Sequence, residues 1–164
     1  MATVHLICGS TGAGKTTYAI ALADRVKGVR FSIDEWMTNL FLPDRPAELT
    51  LAWAVERTAR SETQIWAVAD QILARATDVV LDVGLSKRQH RDRFRLRAGQ
   101  VGAQSKLHYL DVDAQTRRER IHLRNGKETG QRSLVVTDAM FDWMERGFEA
   151  PDDDELYGAM IVCS

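Results

Sequence analysis

The chain has 164 residues, 45% hydrophobic and 27% charged, with 11 glycines and 3 prolines, the profile of one ordinary globular domain able to bury a core. No segment approaches the ~20 apolar residues that span a bilayer, and Cys8 and Cys163 stand far apart in apolar stretches, which predicts buried, reduced thiols and a cytoplasmic protein. With 22 Lys plus Arg against 23 Asp plus Glu, no global positive field draws nucleic acid or anionic lipid.

Strand-like and helix-like stretches alternate over a single domain, 1–164, without repeat, linker or low-complexity segment. Residues 3–8 predict a strand. Residues 15–27 predict a helix striped by Ala19, Leu22, Ala23 and Val26 and stopped at Gly28. Val29, Phe31 and Ile33 alternate as a second strand ending at Asp34. A long helical pattern, broken at most once, runs over 49–76 and leads to a short buried strand at 79–83. Ser86 is the expected N-cap of a very basic helix through Ala98, followed by a strand over 106–112 and a helix capped by Asp113 that reaches Asn125. A polar loop at 126–131, a helix from Thr137 through Phe148 and a strand at 159–163 complete the chain. Strands spaced by helices imply a mostly parallel sheet covered on both faces, with ligands at the carboxyl ends of its strands.

Gly9-Ser10-Thr11-Gly12-Ala13-Gly14-Lys15-Thr16 fits G-x-x-x-x-G-K-[ST] and lies between a predicted strand and a predicted helix, the context that gives this motif its meaning. Its glycines let backbone N–H groups wrap a phosphate at a helix N-terminus. Lys15 is placed to hold β- and γ-phosphates, and the Thr16 hydroxyl to coordinate Mg²⁺. The candidate nucleotide-binding residues are Gly9 through Thr16 together with Thr17.

On this loop, the Ser32-Ile33-Asp34-Glu35 and Leu81-Asp82-Val83-Gly84 segments and a late Arg-rich helix, the chain resembles the P-loop kinases of the nucleotide-kinase-like branch. It resembles especially the small AAA_33, zeta-toxin-like, chloramphenicol-phosphotransferase-like and polynucleotide-kinase-like proteins among them. The resemblance implies a three-layer α/β P-loop NTPase fold, a five-stranded parallel sheet ordered 2-3-1-4-5, and ATP-dependent transfer to a hydroxyl.

Asp34, at the phosphate-loop edge of the sheet, is the expected base for an acceptor hydroxyl, as in the resembling kinases, and the plain alternative is a helix N-cap. Asp82 follows an apolar run and is expected to hold Mg²⁺ beside Thr16, with a structural hydrogen bond to the loop as the alternative and either Asp34 or Asp82 nearer the metal. Glu35 is a weaker candidate than Asp34, with plain surface as its alternative. Arg117, Arg120 and Arg124 share a helical face. Resemblance to lid arginines matches Arg120 and Arg124 to the transferring phosphoryl group, with Arg117 third, in a short lid at about 120–135. The region at about 36–60 is expected to build the acceptor pocket, with Trp36, Phe41 and Trp53 as stacking faces and Arg45 and Arg57 as polar handles. Arg88 and Arg91, on the basic helix, are candidate contacts to an anionic acceptor. The segment 151–155 reads as a solvated loop near the nucleotide base.

The leading expectation is therefore a kinase, monomer or homodimer, that uses ATP and Mg²⁺ to phosphorylate a metabolite, antibiotic or sugar-nucleotide. A polynucleotide 5′-hydroxyl kinase and a nucleotide-hydrolysing regulatory module are the alternatives. Nucleic acid is possible but not favoured, because the acidic balance opposes what the basic helix suggests.

Overall fold

The computed structural model describes residues 1–127 and 135–163. Five strands, β1 (Thr3–Cys8), β2 (Val29–Ser32), β3 (Val79–Asp82), β4 (Gln104–Asp111) and β5 (Met160–Cys163), form one all-parallel sheet in the order β2-β3-β1-β4-β5. The order expected from the resemblance is the order observed. Alternation along the central strands sorts the core into two layers. Val4, Leu6, Cys8, Val79 and Leu81 face Ile65, Trp66 and Ala69 of α3 (Leu51–Leu73) and Phe94 and Ala98 of α4 (Arg88–Gln100). Ile7 and Val80 face Ala19, Leu22 and Ala23 of α1 (Lys15–Val26) on the other side.

Three boundaries differ from expectation. The second strand stops at Ser32, whose Oγ accepts from the Glu35 N–H and caps the short helix α2 (Ile33–Trp36). Asp34 thus sits in the first turn of a helix, not at a strand end. The basic helix is entered through Lys87 rather than Ser86, because Ser86 N–H turns back onto the Gly84 carbonyl. The long pattern over 49–76 is one unbroken helix, α3, that starts at Leu51 under Thr50, which caps it through a bond from Trp53 N–H, and a wider π-type turn over Met37–Phe41 continues α2 ahead of it.

Asp113 does cap α5 (Ala114–Lys127), accepting from both the N–H and the hydroxyl of Thr116. Thr137 caps α6 (Asp138–Gly147). The expected solvated segment before β5 is instead a helical turn, α7 (Asp153–Leu156), that buries Glu155. Cys8 is buried as expected, but Cys163 is exposed, since β5 is an edge strand with little covering it. Part of the expected lid and of the 126–131 loop lies outside the described residues. Among the described residues no helix is long and apolar enough to cross a membrane.

Candidate functional site

The loop between β1 and α1 turns through two left-handed glycines, Gly12 (φ 81°) and Gly14 (φ 90°). A Cβ on Gly12 would stand 2.6 Å from the Arg117 carbonyl oxygen, so chain packing as well as backbone conformation demands glycine there. Gly14 enters α1 without a side-chain cap, which leaves the first N–H groups of the helix for an anion. Lys15 Nζ donates to the Ser10 carbonyl at 3.0 Å. Burial pushes the Lys15 ammonium below its ordinary pKa, against the opposing pull of Asp82 and Asp34.

Parallel pairing sets Ser32 level with Asp82, so Asp34, two residues on, and Asp82 share the sheet edge carrying the loop. Burial raises the Asp82 carboxyl, while Thr16, Lys15 and Arg30 pull it down and Asp34 pushes it up. Arg30 Nη1 donates to Asp82 Oδ2 at 3.3 Å, and Arg30 also pairs with Glu35. Arg30 carries no motif in the sequence, and Glu35 is there only a weaker candidate than Asp34. A cation at the polar alternation position of β2 was the available signal.

Two cavities open on this edge and share Thr11, Lys15, Asp34 and Gly84. The α5-side cavity, about 510 Å³, adds Gly12, Gly14, Thr16 and Thr17 of the loop region, Asp82, and Arg120, Ile121 and Arg124 of α5. Arg120 Nη1 also donates to the Ala13 carbonyl at 3.4 Å. The α6-side cavity, about 630 Å³, adds Gly9 and Ser10, then Ser86 and Lys87, and a wall of Trp143, Met144, Arg146, Gly147 and Phe148.

Arg117 belongs to neither cavity. It is 4% exposed, donates to the Val112 and Thr11 carbonyls at 2.8 and 3.2 Å, and pairs with Glu145. It braces the loop from behind.

The expected acceptor residues are placed elsewhere. Trp36 packs edge-on against Phe31 in the core. Arg57 lies over the Trp53 ring at 4.5 Å and pairs with Glu56. Neither lines either cavity. Arg91 is 0% exposed and makes two bonds to Glu155, at 2.8 and 2.7 Å, so its candidacy as a substrate contact is corrected: a fully buried, paired guanidinium meets no acceptor. Arg88 is engaged by Asp152 and Asp154 and lines neither cavity. Its neighbours on α4 are compensated as well, Arg93 by Glu62, Arg95 by Asp92 and Glu155, and Arg97 by Asp70. The basic helix is a carboxylate-neutralised face, not an open cationic patch.

The residues present fit Mg²⁺. Thr16 and Asp82 offer hard oxygen donors side by side, the donor chemistry of an ion held by one or two protein oxygens plus phosphates.

The family model AAA_33, described as an AAA domain, matches residues 4–151. No curated protein matches the chain. Among solved structures, Kti12 from Chaetomium thermophilum in complex with ADP-AlF3 superposes with a TM-score of 0.69 at 14% identity, covering 98% of this chain and 88% of that one. An unliganded sugar kinase from Janibacter sp. HTCC2649 gives 0.63 at 18% identity, covering 99% and 85%. The Mycobacterium tuberculosis APS kinase CysC, in complex with AMPPNP and APS, gives 0.61 at 15% identity, covering 99% and 88%. The fold is therefore that of the P-loop kinases, and the chain belongs to the AAA_33 family.

Proposed function

We propose that the protein transfers the γ-phosphate of ATP to a hydroxyl of a small molecule. The observation that carries this reading is the meeting of two cavities at Lys15 and Asp34, one against the Gly12–Thr17 side of the phosphate loop and one running from its Gly9–Thr11 side to α6, with a carboxylate at their junction. A nucleotide switch needs only the first.

In this scheme the loop amides and Lys15 hold the β- and γ-phosphates in the α5-side cavity. The acceptor enters from the α6 side, not from the 36–60 segment. Asp34, exposed on the first turn of α2, takes the proton of the acceptor hydroxyl as its oxygen bonds to the γ-phosphorus and the bond to the β,γ-bridging oxygen breaks, releasing ADP. Arg120 and Arg124 face the same cavity as the loop and stabilise charge on the transferring group. Thr16 and Asp82 would hold Mg²⁺, which when bound offsets phosphate charge.

ADP release measured with and without a panel of hydroxyl compounds, with mass spectrometry of the products, tests the reading. Acceptor-dependent release and a product heavier by one phosphoryl group are expected. Release that no acceptor accelerates would return the protein to the hydrolysing-module alternative, which the likeness to Kti12 keeps in view. The polynucleotide alternative loses its main support because the α4 cations are already paired.

A further inference from the structure

The wall of the α6-side cavity has a distinct chemistry. Trp143 is 64% exposed yet lines the cavity with Phe148 and Met144. An indole left that open on a cavity wall is a face for a flat ligand. Arg146 stands beside it. Lys87, which also lines the cavity, has its charge met by Glu149 at 3.0 Å, whereas Arg146 has no carboxylate within ion-pair distance among the described residues. The cavity thus presents an open indole face and, on the same helix, a guanidinium without a carboxylate partner among the described residues.

This wall is held at both ends. Glu145 takes the Ser10 hydroxyl at 2.8 Å and the Arg117 guanidinium, which ties α6 to the phosphate loop. Glu149 takes Lys87 Nζ and the Arg88 N–H, and its own N–H donates to the Ser86 carbonyl at 2.9 Å. Trp143 and Arg146 are carried on a segment whose approach to Asp34 is fixed before any ligand arrives, the arrangement that lowers the ordering cost of binding.

Resting on the phosphotransfer reading above, we infer that the acceptor is a ring-bearing anion: a compound that presents a hydroxyl to Asp34, a planar ring to Trp143 and one anionic group, phosphate or carboxylate, to Arg146. A neutral sugar has neither of the last two features. The volume, about 630 Å³, suits a small molecule of this kind.

The test compares four acceptors with saturating MgATP: adenosine 3′-monophosphate and 4-hydroxyphenyllactate (ring and anion), adenosine (ring only) and gluconate (anion only). Binding is measured by calorimetry with a non-hydrolysable ATP analogue, and transfer by ADP release and mass spectrometry. At least one ring-bearing anion should exceed both adenosine and gluconate by tenfold or more in kcat/KM. Trp143→Ala and Arg146→Gln should each raise its KM about tenfold while leaving the KM for ATP unchanged, and Arg146→Lys should recover part of the loss. A merely structural Arg146, at the last turn of α6, would instead lower the thermal midpoint of Arg146→Gln with no acceptor-specific change. Failure of both ring-bearing anions to bind, or equal use of gluconate with indifference to both substitutions, overturns the inference and leaves phosphotransfer standing. A 5′-hydroxyl oligonucleotide used tenfold better than either mononucleotide or hydroxy acid overturns it in favour of a polymer acceptor. Acceptor-independent ADP release with every compound defeats the phosphotransfer reading itself.

Discussion

Arg117 and Glu145 meet in a two-bonded pair, Nη1 to Oε2 at 2.7 Å and Nη2 to Oε1 at 2.6 Å, and each also grips the phosphate loop, Arg117 through the Thr11 carbonyl and Glu145 through the Ser10 hydroxyl. The pair makes α5, α6 and the loop one mechanical unit. The Arg117 guanidinium holds the Glu145 carboxyl below its ordinary pKa, with help from Ser10.

Glu145→Gln keeps the shape of that side chain but leaves Arg117 charged in a buried position. Stability should fall by about 2–3 kcal/mol, read from urea unfolding, and the KM for ATP should rise because the loop loses its brace. Adding Arg117→Met removes the stranded charge and should restore part of the stability without restoring nucleotide affinity. Recovery of both would mean that the pair is only a packing element.

Asp34 and Asp82 separate by their response to Mg²⁺. Ser32, not Asp34, caps α2, so Asp34→Asn should leave the unfolding midpoint unchanged while single-turnover transfer falls at every Mg²⁺ concentration. Asp82→Asn should lose most at low Mg²⁺ and recover as it is raised. Transfer at the wild-type rate by Asp34→Asn would remove it from the chemistry.

Arg124 is exposed on α5, lines the loop-side cavity and makes no ion pair among the described residues. Arg124→Ala should lower kcat roughly a hundredfold or more with little change in the KM for ATP, since a guanidinium that meets the phosphoryl group acts chiefly in the transition state. A change in KM alone would assign it to ground-state binding.

Elements with local signatures were legible in the sequence. The phosphate loop carries its own spacing, the parallel sheet its alternation with helices, and the Asp113 and Thr137 caps their position before a helical stripe. What the sequence hid was pairing across distance. Glu145 lies 135 residues from Ser10, Glu155 lies 64 from Arg91, and nothing in their neighbourhoods marks either carboxylate as a partner. The basic helix therefore read as cationic, although folding neutralises it. The wall of Trp143 and Arg146 was missed for a related reason: the helix from Thr137 through Phe148 carries no local sign that Glu149, just after it, bonds Ser86 and Lys87 and that the same cavity is lined by all of these elements.

A partly buried chain of bonds away from both cavities, with His108 at its buried centre, predicts the acid sensitivity of the fold. Asp78 takes the Thr3 N–H through Oδ1 at 2.8 Å and His5 Nε2–H through Oδ2 at 3.2 Å. That leaves His5 Nδ1 to accept from His108 Nε2–H at 2.9 Å, and His108 Nδ1 to accept from the Tyr18 hydroxyl at 2.8 Å. Every group in this chain of bonds has a partner with the His108 ring neutral. His108, 2% exposed, has its pKa lowered to about 4, first by burial and then by His5, Lys106 and Arg25. In the unfolded chain it titrates near the ordinary value of about 6.5, so between these two values the unfolded state binds more protons and folding weakens as pH falls. Stability is complete above about pH 6.5 and declines through the window down to about 4, by roughly 3 kcal/mol in total. The ion-paired carboxylates with lowered pKa, such as Glu145 and Glu149, add their own loss, concentrated below about pH 5. Guanidinium unfolding at pH 7.5, 5.5 and 4.5 should therefore show a drop between the first two that His108→Gln, although less stable at pH 7.5, largely lacks. An equal drop in the variant would show that the buried His108 ring is not the group being protonated.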